Sequence, residues 1–442
     1  MSPPLAAVRD DDTPPANADV VIIGGGIIGI CTAYFLREEG LSIAVVEKGR
    51  VAGEQSSRNW GFVRQQGRDP SEIPLIKQSL ALWEQFERPP QQSVGFRRAG
   101  IIYLTREPEV PEAWRDWMAY AGRHGIESFL LDAAEAQSRA PSPMAWTAGL
   151  YTPDDAQAEP ALAVPAIAEA ARRKGVTIHQ QCAVRSIEIE RGRAVAVVTE
   201  KGRIDAGVVI CAAGAWSSRL CRSIGITLPQ LAARATVLRT EAAPNVSDAG
   251  GIVAEKFSIR RRVDGGYNVA RTMGWTYEIV PDTFRFMRAF WPAFLQQKGN
   301  MKLRFGRKFF REFTAAWRAD ARKSSVYEQD RILDPAPDMR VLDEAMTSLR
   351  AAFPQLKDVA VAEAWAGMID IMPDAVPVIG PVPEIGNLML ATGFSGHGFG
   401  IGPGAGRLTA DLVSGREPIV DPKPFRFDRL GKTIISADVA PQ

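Results

Sequence analysis

The chain has 442 residues, 46% of them apolar and 24% charged, with 53 Lys and Arg against 51 Asp and Glu for a net charge of +2. These values suit a globular protein of two or three domains and exclude a disordered tail, a collagen-like chain and a disulfide scaffold. So even a balance also leaves no wholesale electrostatic attraction to nucleic acid.

Residues 1–16, rich in Pro and Ala around Asp10-Asp11-Asp12, read as a disordered lead-in and lack the apolar segment of a signal peptide. Val20 to Ile23 is a β-branched run, as in a strand buried on both faces. Ile27 to Glu39 predicts a helix closed at Gly40, and Ser42 to Glu47 a second buried strand, which together make one βαβ unit. A polar loop (51–70), a helix (72–87), a strand (97–105) and helices over much of 107–140 come next. The pattern then gives a helix at 161–174, strands at 177–180, 183–190 and 194–199, and a fully apolar strand at 208–211. Strands fill 234–240 and 252–271, with a turn at Asp264-Gly265-Gly266. Helices are expected through much of 281–323 and at 338–353, then an apolar strand at 388–391 and a helix ending near Gly415. The longest apolar stretch, Val20 to Cys31, is short and broken by glycines, so no membrane-spanning helix is expected.

Fully apolar strands (20–23, 43–47, 208–211, 388–391) alternate with amphipathic ones (97–105, 234–271). That division predicts an α/β protein: a Rossmann-like nucleotide-binding domain with an inserted antiparallel-sheet α+β substrate domain. The first would comprise 17–95, 145–225 and 355–430, the second 96–144 and 226–354. Four cysteines without CxxC spacing and three histidines show no metal-type clustering, and a reducing, cytoplasmic setting fits them.

Gly24-Gly25-Gly26-Ile27-Ile28-Gly29 matches GxGxxG between a strand and a helix. Gly24 permits the tight turn, Gly26 lets a pyrophosphate approach, and Gly29 lets helix and strand pack closely. The helix N-terminus offers free N–H groups to phosphates. Glu47, followed by Lys48, ends the second strand 23 residues after Gly24, where an acid reaches a ribose hydroxyl. The competing reading is a glycine-rich turn with a solvent-facing Glu.

Four blocks carry a resemblance over nearly the whole chain: the fingerprint through Glu47, SSRNWGFVR, VVICAAGAW, and the pair WAGMIDIMPDAVPVIG and LMLATGFSGHGFGIGPGAGR. In these the sequence resembles the D-amino-acid oxidase superfamily of FAD-dependent amine oxidoreductases, which includes glycine oxidase, monomeric sarcosine oxidase and the D-amino-acid dehydrogenases. The resemblance implies that Ser56, Ser57, Arg58, Asn59, Trp60 and Gly61 run along the flavin, and that the backbone of Val184 meets the adenine. It places Ala213, Gly214 and Trp216 at the sheet crevice, and Phe394, Ser395, Gly396, His397 and Gly398 against the ring. A helix beginning near Pro403 would aim its positive end at the ring. His397 would either polarise the flavin or act as an acid, or contribute only its backbone.

The family reaction takes a hydride from the carbon beside an amine to flavin N5, and the resulting imine hydrolyses. The family also has carboxylate anchors that are missing here. The Arg after WAG is replaced by Met368, Ile369 and Asp370, and the sarcosine-oxidase Lys by Gly400. Either the substrate has no α-carboxylate or another cation holds it, with Arg64, Arg260 and Arg262 as candidates. Asp370 would attract a cationic amine or cap its loop. Asn268 aligns with the oxygen-activating Lys, and Gly367 with the covalent Cys, so FAD is expected to be non-covalent. The candidate catalytic set is Arg64, Asn268, Asp370 and His397. The substrate set is Arg64, Arg260, Arg262, Ile369, Asp370 and Gly400.

Residues 283–323 hold eleven Lys and Arg, two acids and ten aromatics. Such a segment either docks on a membrane surface or a redox partner, or is a helical part of the insertion with its basic residues solvated. The implied function is oxidation of a secondary amine or D-amino acid with oxygen as acceptor. The alternatives are a dehydrogenase passing electrons to a quinone or carrier, and a flavoprotein subunit of a larger complex.

Overall fold

The computed structural model describes residues 3–89, 93–297, 301–306, 309–310 and 326–431. In chain order, the elements that position the site begin with strand β1 (Asn17–Ile23), helix α1 (Ile27–Glu38), strand β2 (Ile43–Val46) and helix α2 (Ile73–Glu87). Strands β3 (Ile101–Thr105) and β4 (Ala148–Thr152), helix α3 (Pro160–Arg173), and strands β5 (Thr177–His179), β6 (Val184–Glu190), β7 (Arg193–Thr199) and β8 (Gly202–Cys211) follow. Next come β9 (Leu231–Thr240), β10 (Gly251–Val253), β11 (Ser258–Arg261), β12 (Tyr267–Ala270) and β13 (Thr276–Ile279). The rest are α4 (Met287–Gln297), β14 (Lys302–Phe305), α5 (Met339–Ala352), β15 (Val361–Ile371), β16 (Leu388–Thr392) and α6 (Gly398–Ser414).

The apolar strands form one parallel array in the order β5, β2, β1, β8, β16. Successive residues of β1 serve opposite faces, as the period of a strand requires. Val20 and Ile22 join the core under α1, α2, α3 and α6, and Val21 and Ile23 join the core on the other side. The chain crosses from β1 outward to β5 and then returns to the far side at β8. The strand order therefore reverses between β1 and β8, the place where open α/β sheets bind ligands beyond their C-terminal ends. Helix α6 lies against α1 so closely that a Cβ on Gly406 would sit 2.5 Å from Cys31 Cβ.

The second sheet runs β14, β13, β9, β12, β11, β10, β3, β4 and Phe129–Leu131, with β15 also paired to β9. It is antiparallel except for the β10–β3 and β13–β14 pairs. Leu342, Ala345, Met346 and Leu349 of α5 pack on one face.

Several sequence expectations need correction. Part of the lead-in is held in place: Asp11 takes a bidentate pair from Arg172 and its N–H donates to Ile178 O, while Asp10 accepts from Gln180 N. Strands β4 and β15 belong to the second sheet, although they fall in segments assigned to the nucleotide domain. Within 281–323 helices occupy Pro281–Arg285 and Met287–Gln297, but Lys302–Phe305 is a strand paired with β13. Residues 311–325 lie outside the described residues. No described helix is long and apolar enough to cross a membrane.

Candidate active site

The switch point opens into a groove lined by both the glycine turn after β1 and the start of α6. Its floor is the turn after β1, where a Cβ on Gly24 would lie 2.4 Å from Ala212 O and one on Gly29 would lie 2.1 Å from Gly24 O. Both positions therefore require glycine. Helix α1 starts at Gly26 without a side-chain cap, so its positive end faces the groove. Glu47 accepts from Gly25 N at 2.8 Å and from Gly49 N at 2.7 Å, which fixes both oxygens at the rim. Burial holds its carboxyl above the usual range against the pull of Lys48. Ser56 Oγ accepts from Ile27 N at 2.9 Å and ties the 55–61 turn to the start of α1.

Of the expected cofactor residues, Gly24, Gly26, Ile27, Ile28, Glu47, Lys48, Ser56, Asn59, Val184, Ala213, Gly214, Trp216, Phe394, Gly396 and Gly398 line the groove. The others support it from behind. Arg58 is buried and donates to Ala366 O, Gly53 O and Asp334, which turns its charge away from the groove. Ser57 donates to Glu54 O, Trp60 O receives Arg260 and Asn268, and Ser395 Oγ accepts from Met372 N. Gly61 takes φ +89 beside Ala158 O, and a Cβ on Gly367 would strike Gln55 Oε1 at 2.1 Å. Gln55, Cys182, Tyr327, Ile332 and Met368 also line the groove and were not among the expected site residues. Tyr327 and Ile332 come from a stretch with no motif, and only its folding brings them here.

At the far end, helix α6 begins at Gly398, five residues before Pro403, with His397 as its cap. His397 Nδ1 donates to buried Glu72 at 2.9 Å. Burial and Arg68 hold the imidazole below its usual range, so it is neutral at pH 7. Against burial, the hydrogen bond from His397 and the Arg68 charge hold the Glu72 carboxyl below its usual range. Asp370 accepts from Gly393 N (2.8 Å), Phe394 N (3.3 Å) and Gln230 (3.3 Å) and lines the groove. It holds the turn that delivers Phe394, and burial raises its carboxyl.

The candidate cations differ sharply. Arg260 is fully buried and forms a fork with Glu159 at 2.8 and 3.0 Å. Its charge is already matched, and removing either partner of such a pair costs about 3–5 kcal/mol. Arg262 is paired with Asp264 and also donates to Asn268, whose amide is bound to Trp60 O. These three hold the back of the 55–61 turn, and none lines the groove. Gly400 faces α2, and its carbonyl receives Ser79 and Trp83. Arg64 donates to Gln66 O and to the Tyr103 hydroxyl, and it makes no ion pair with a described residue. Burial and the neighbouring Arg68 lower its pKa to about 9. Ile369 belongs to an apolar wall with Ala233, Ile371, Trp275, Tyr277 and Phe290, next to Gly396.

A glycine turn, a ribose-type acid and an uncapped helix end at the reversal of a parallel sheet, with a second sheet beyond, define a dinucleotide-dependent oxidoreductase of the two-sheet kind. The chain belongs to the FAD dependent oxidoreductase family (DAO), which it matches over residues 19–412. It is 27% identical to a glycine oxidase of Pseudomonas aeruginosa over 92% of this chain and 97% of that protein. It is 25% identical to the mitochondrial dimethylglycine dehydrogenase of Mus musculus over 97% of this chain, which spans only 47% of that relative. An L-amino acid deaminase of Proteus myxofaciens, solved with anthranilate, superposes with a TM-score of 0.92 at 29% identity, covering 98% of this chain and 97% of that one. The cofactor is FAD, and the chain is an FAD-dependent oxidoreductase acting on amino acids or amines. The glycine-only floor and the Glu47 rim suit that dinucleotide.

Proposed function

We propose that the chain oxidises the Cα–N bond of an α-amino acid with an apolar side chain, and that Arg64 holds the substrate carboxylate. The observation that carries this is the state of Arg64: a partly buried guanidinium near His397 that forms no direct ion pair with a described residue, while the rival cations Arg260 and Arg262 are already paired. A guanidinium fork matches a carboxylate in geometry and charge. The relatives named for glycine and dimethylglycine, and the deaminase solved with anthranilate, support a substrate that bears a carboxylate. The deaminase also favours an L-amino acid over the D-amino acid or secondary amine expected from sequence. The wall of Ile369, Trp275, Tyr277 and Phe290 suits an apolar side chain.

When bound, FAD supplies the redox chemistry by accepting a hydride at N5 from the carbon bearing an unprotonated amine. The chain's residues position and polarise. Arg64 would fix the carboxylate, the N-terminal end of α6 would offer its positive charge to the bound flavin, and Asp370 holds the Phe394 turn in place. Attachment is non-covalent in this reading, since glycine stands at 367 in place of the linking Cys and the four cysteines are buried.

Assay of purified protein with both enantiomers of a panel of amino acids, N-methyl amino acids and plain amines tests this. The expected products are a 2-oxo acid and ammonia from apolar amino acids, with no turnover of amines lacking a carboxylate. Preferred turnover of those plain amines would overturn the reading.

The electron acceptor has its own supporting observation. Phe284, Met287, Trp291, Leu295, Leu303 and Phe305 are all exposed, together with Arg285, Arg288, Lys302 and Arg304. Exposed apolar side chains interspersed with cations suit a membrane surface, and a lipid-soluble quinone is the acceptor that fits it.

A further inference from the structure

We propose that residues 326–334 form a clasp that closes the nucleotide end of the FAD groove, with Tyr327 and Ile332 as its inner wall and the Arg331–Glu200 pair as its lock. The segment arises between β14 and α5, so it belongs to the inserted sheet, yet its bonds go to the rim of the nucleotide sheet. Arg331 forks onto Glu200 at 2.7 and 2.6 Å and also donates to Lys48 O at 2.8 Å. Lys48 Nζ returns the contact, donating to Asp330 O at 2.9 Å and Arg331 O at 2.8 Å. Arg185 forks onto Glu328 at 2.8 and 3.1 Å, and Leu333 N donates to Glu54 at 3.0 Å.

The strap lies flat on the rim because Gly49 has no side chain: a Cβ there would sit 2.5 Å from Arg331 O. Tyr327 meets the Trp216 ring edge-on at 5.5 Å, and both line the same groove as Glu47 and Val184. The two residues that seal the groove are thus held by ion pairs that have no part in the redox site. Glu200 and Arg331 are partly exposed, so solvent and salt reach the lock. A ligand lying under such a strap cannot leave until the strap lifts, and the bond that yields most readily to salt is ionic.

The inference concerns FAD release and is independent of which amino acid is oxidised. Its test follows the fluorescence of FAD released from diluted holoprotein. Release from wild type should quicken as salt rises, and Arg331→Ala should release FAD about tenfold faster with a weaker response to salt, carried by the remaining Arg185–Glu328 pair. Pairing Arg331→Glu with Glu200→Arg should restore slow release. Tyr327→Ala, which leaves the ion pair intact, should quicken release while keeping its salt response. Release from Arg331→Ala within about twofold of wild type, or a charge-swapped pair no slower than Arg331→Glu alone, would overturn the clasp. If Arg331→Ala does not fold, Tyr327→Ala decides: unchanged FAD release there also overturns it.

Discussion

Close to Arg64, two buried carboxylates are shifted in opposite directions. Asp155 is fully buried and receives Gln65 N at 2.6 Å, yet burial still pushes its pKa up to about 7. Glu72, beside His397 and Arg68, is held below its usual range. An acid with a raised folded pKa binds more protons in the folded state, so it favours folding at low pH and loses that contribution as pH rises through its folded value. Stability from Asp155 is therefore full below about pH 4 and lost through pH 7. Melting temperatures across that range should fall less with rising pH in Asp155→Asn than in wild type. Equal slopes would show that Asp155 is ionised throughout. At this scale the sequence was legible where the chemistry is local: Gly24, Gly26 and Glu47 lie within one βαβ unit, and all line the groove. Arg260 was misread because its partner Glu159 is 101 residues away, and nothing in strand alternation reveals that pairing.

Elements were legible where burial leaves a pattern and obscure where packing overrides propensity. Helix α6 begins with GFGIG, a poor helix sequence, which hid its first turn; close packing on α1 sets its start instead. Strand β15 is buried continuously from Trp365 to Ile371, so it shows no alternation to read. The basic, aromatic segment was visible from composition, but its division into α4 and a paired strand β14 was not. Trp291 and Phe305, 50% and 58% exposed, are the centre of the acceptor proposal. Trp291→Glu with Phe305→Glu should slow reoxidation of the reduced protein by quinone in anionic vesicles while sparing reduction by substrate. Unchanged reoxidation would remove this face from the acceptor route.

The molecule interleaves two large sheets through repeated crossings of the chain, with a small three-stranded sheet of Phe62–Val63, Ala156–Gln157 and Arg97–Arg98 beside them. The contrast between fully buried and amphipathic strands was enough to predict the two-sheet architecture. It could not assign β4 and β15, whose sheet is decided by partners far away in sequence. Nor could it show that a segment of the inserted sheet returns to the nucleotide rim, because that contact depends on the finished fold. The interleaving places the N-terminal end of α1 on the groove together with the start of α6, which His397 precedes. A dinucleotide laid along the groove would bring its reactive ring to the start of α6.

The most direct measurement mixes FAD-loaded protein with amino acids under anaerobic conditions and follows loss of the visible flavin absorbance. Apolar L-amino acids should bleach wild type, and Arg64→Ala should need roughly 10–100-fold more substrate for the same rate while keeping its FAD, the loss expected for a charge-assisted hydrogen bond. Equal bleaching of both proteins at all concentrations, or bleaching of wild type by carboxylate-free amines alone, would contradict the account.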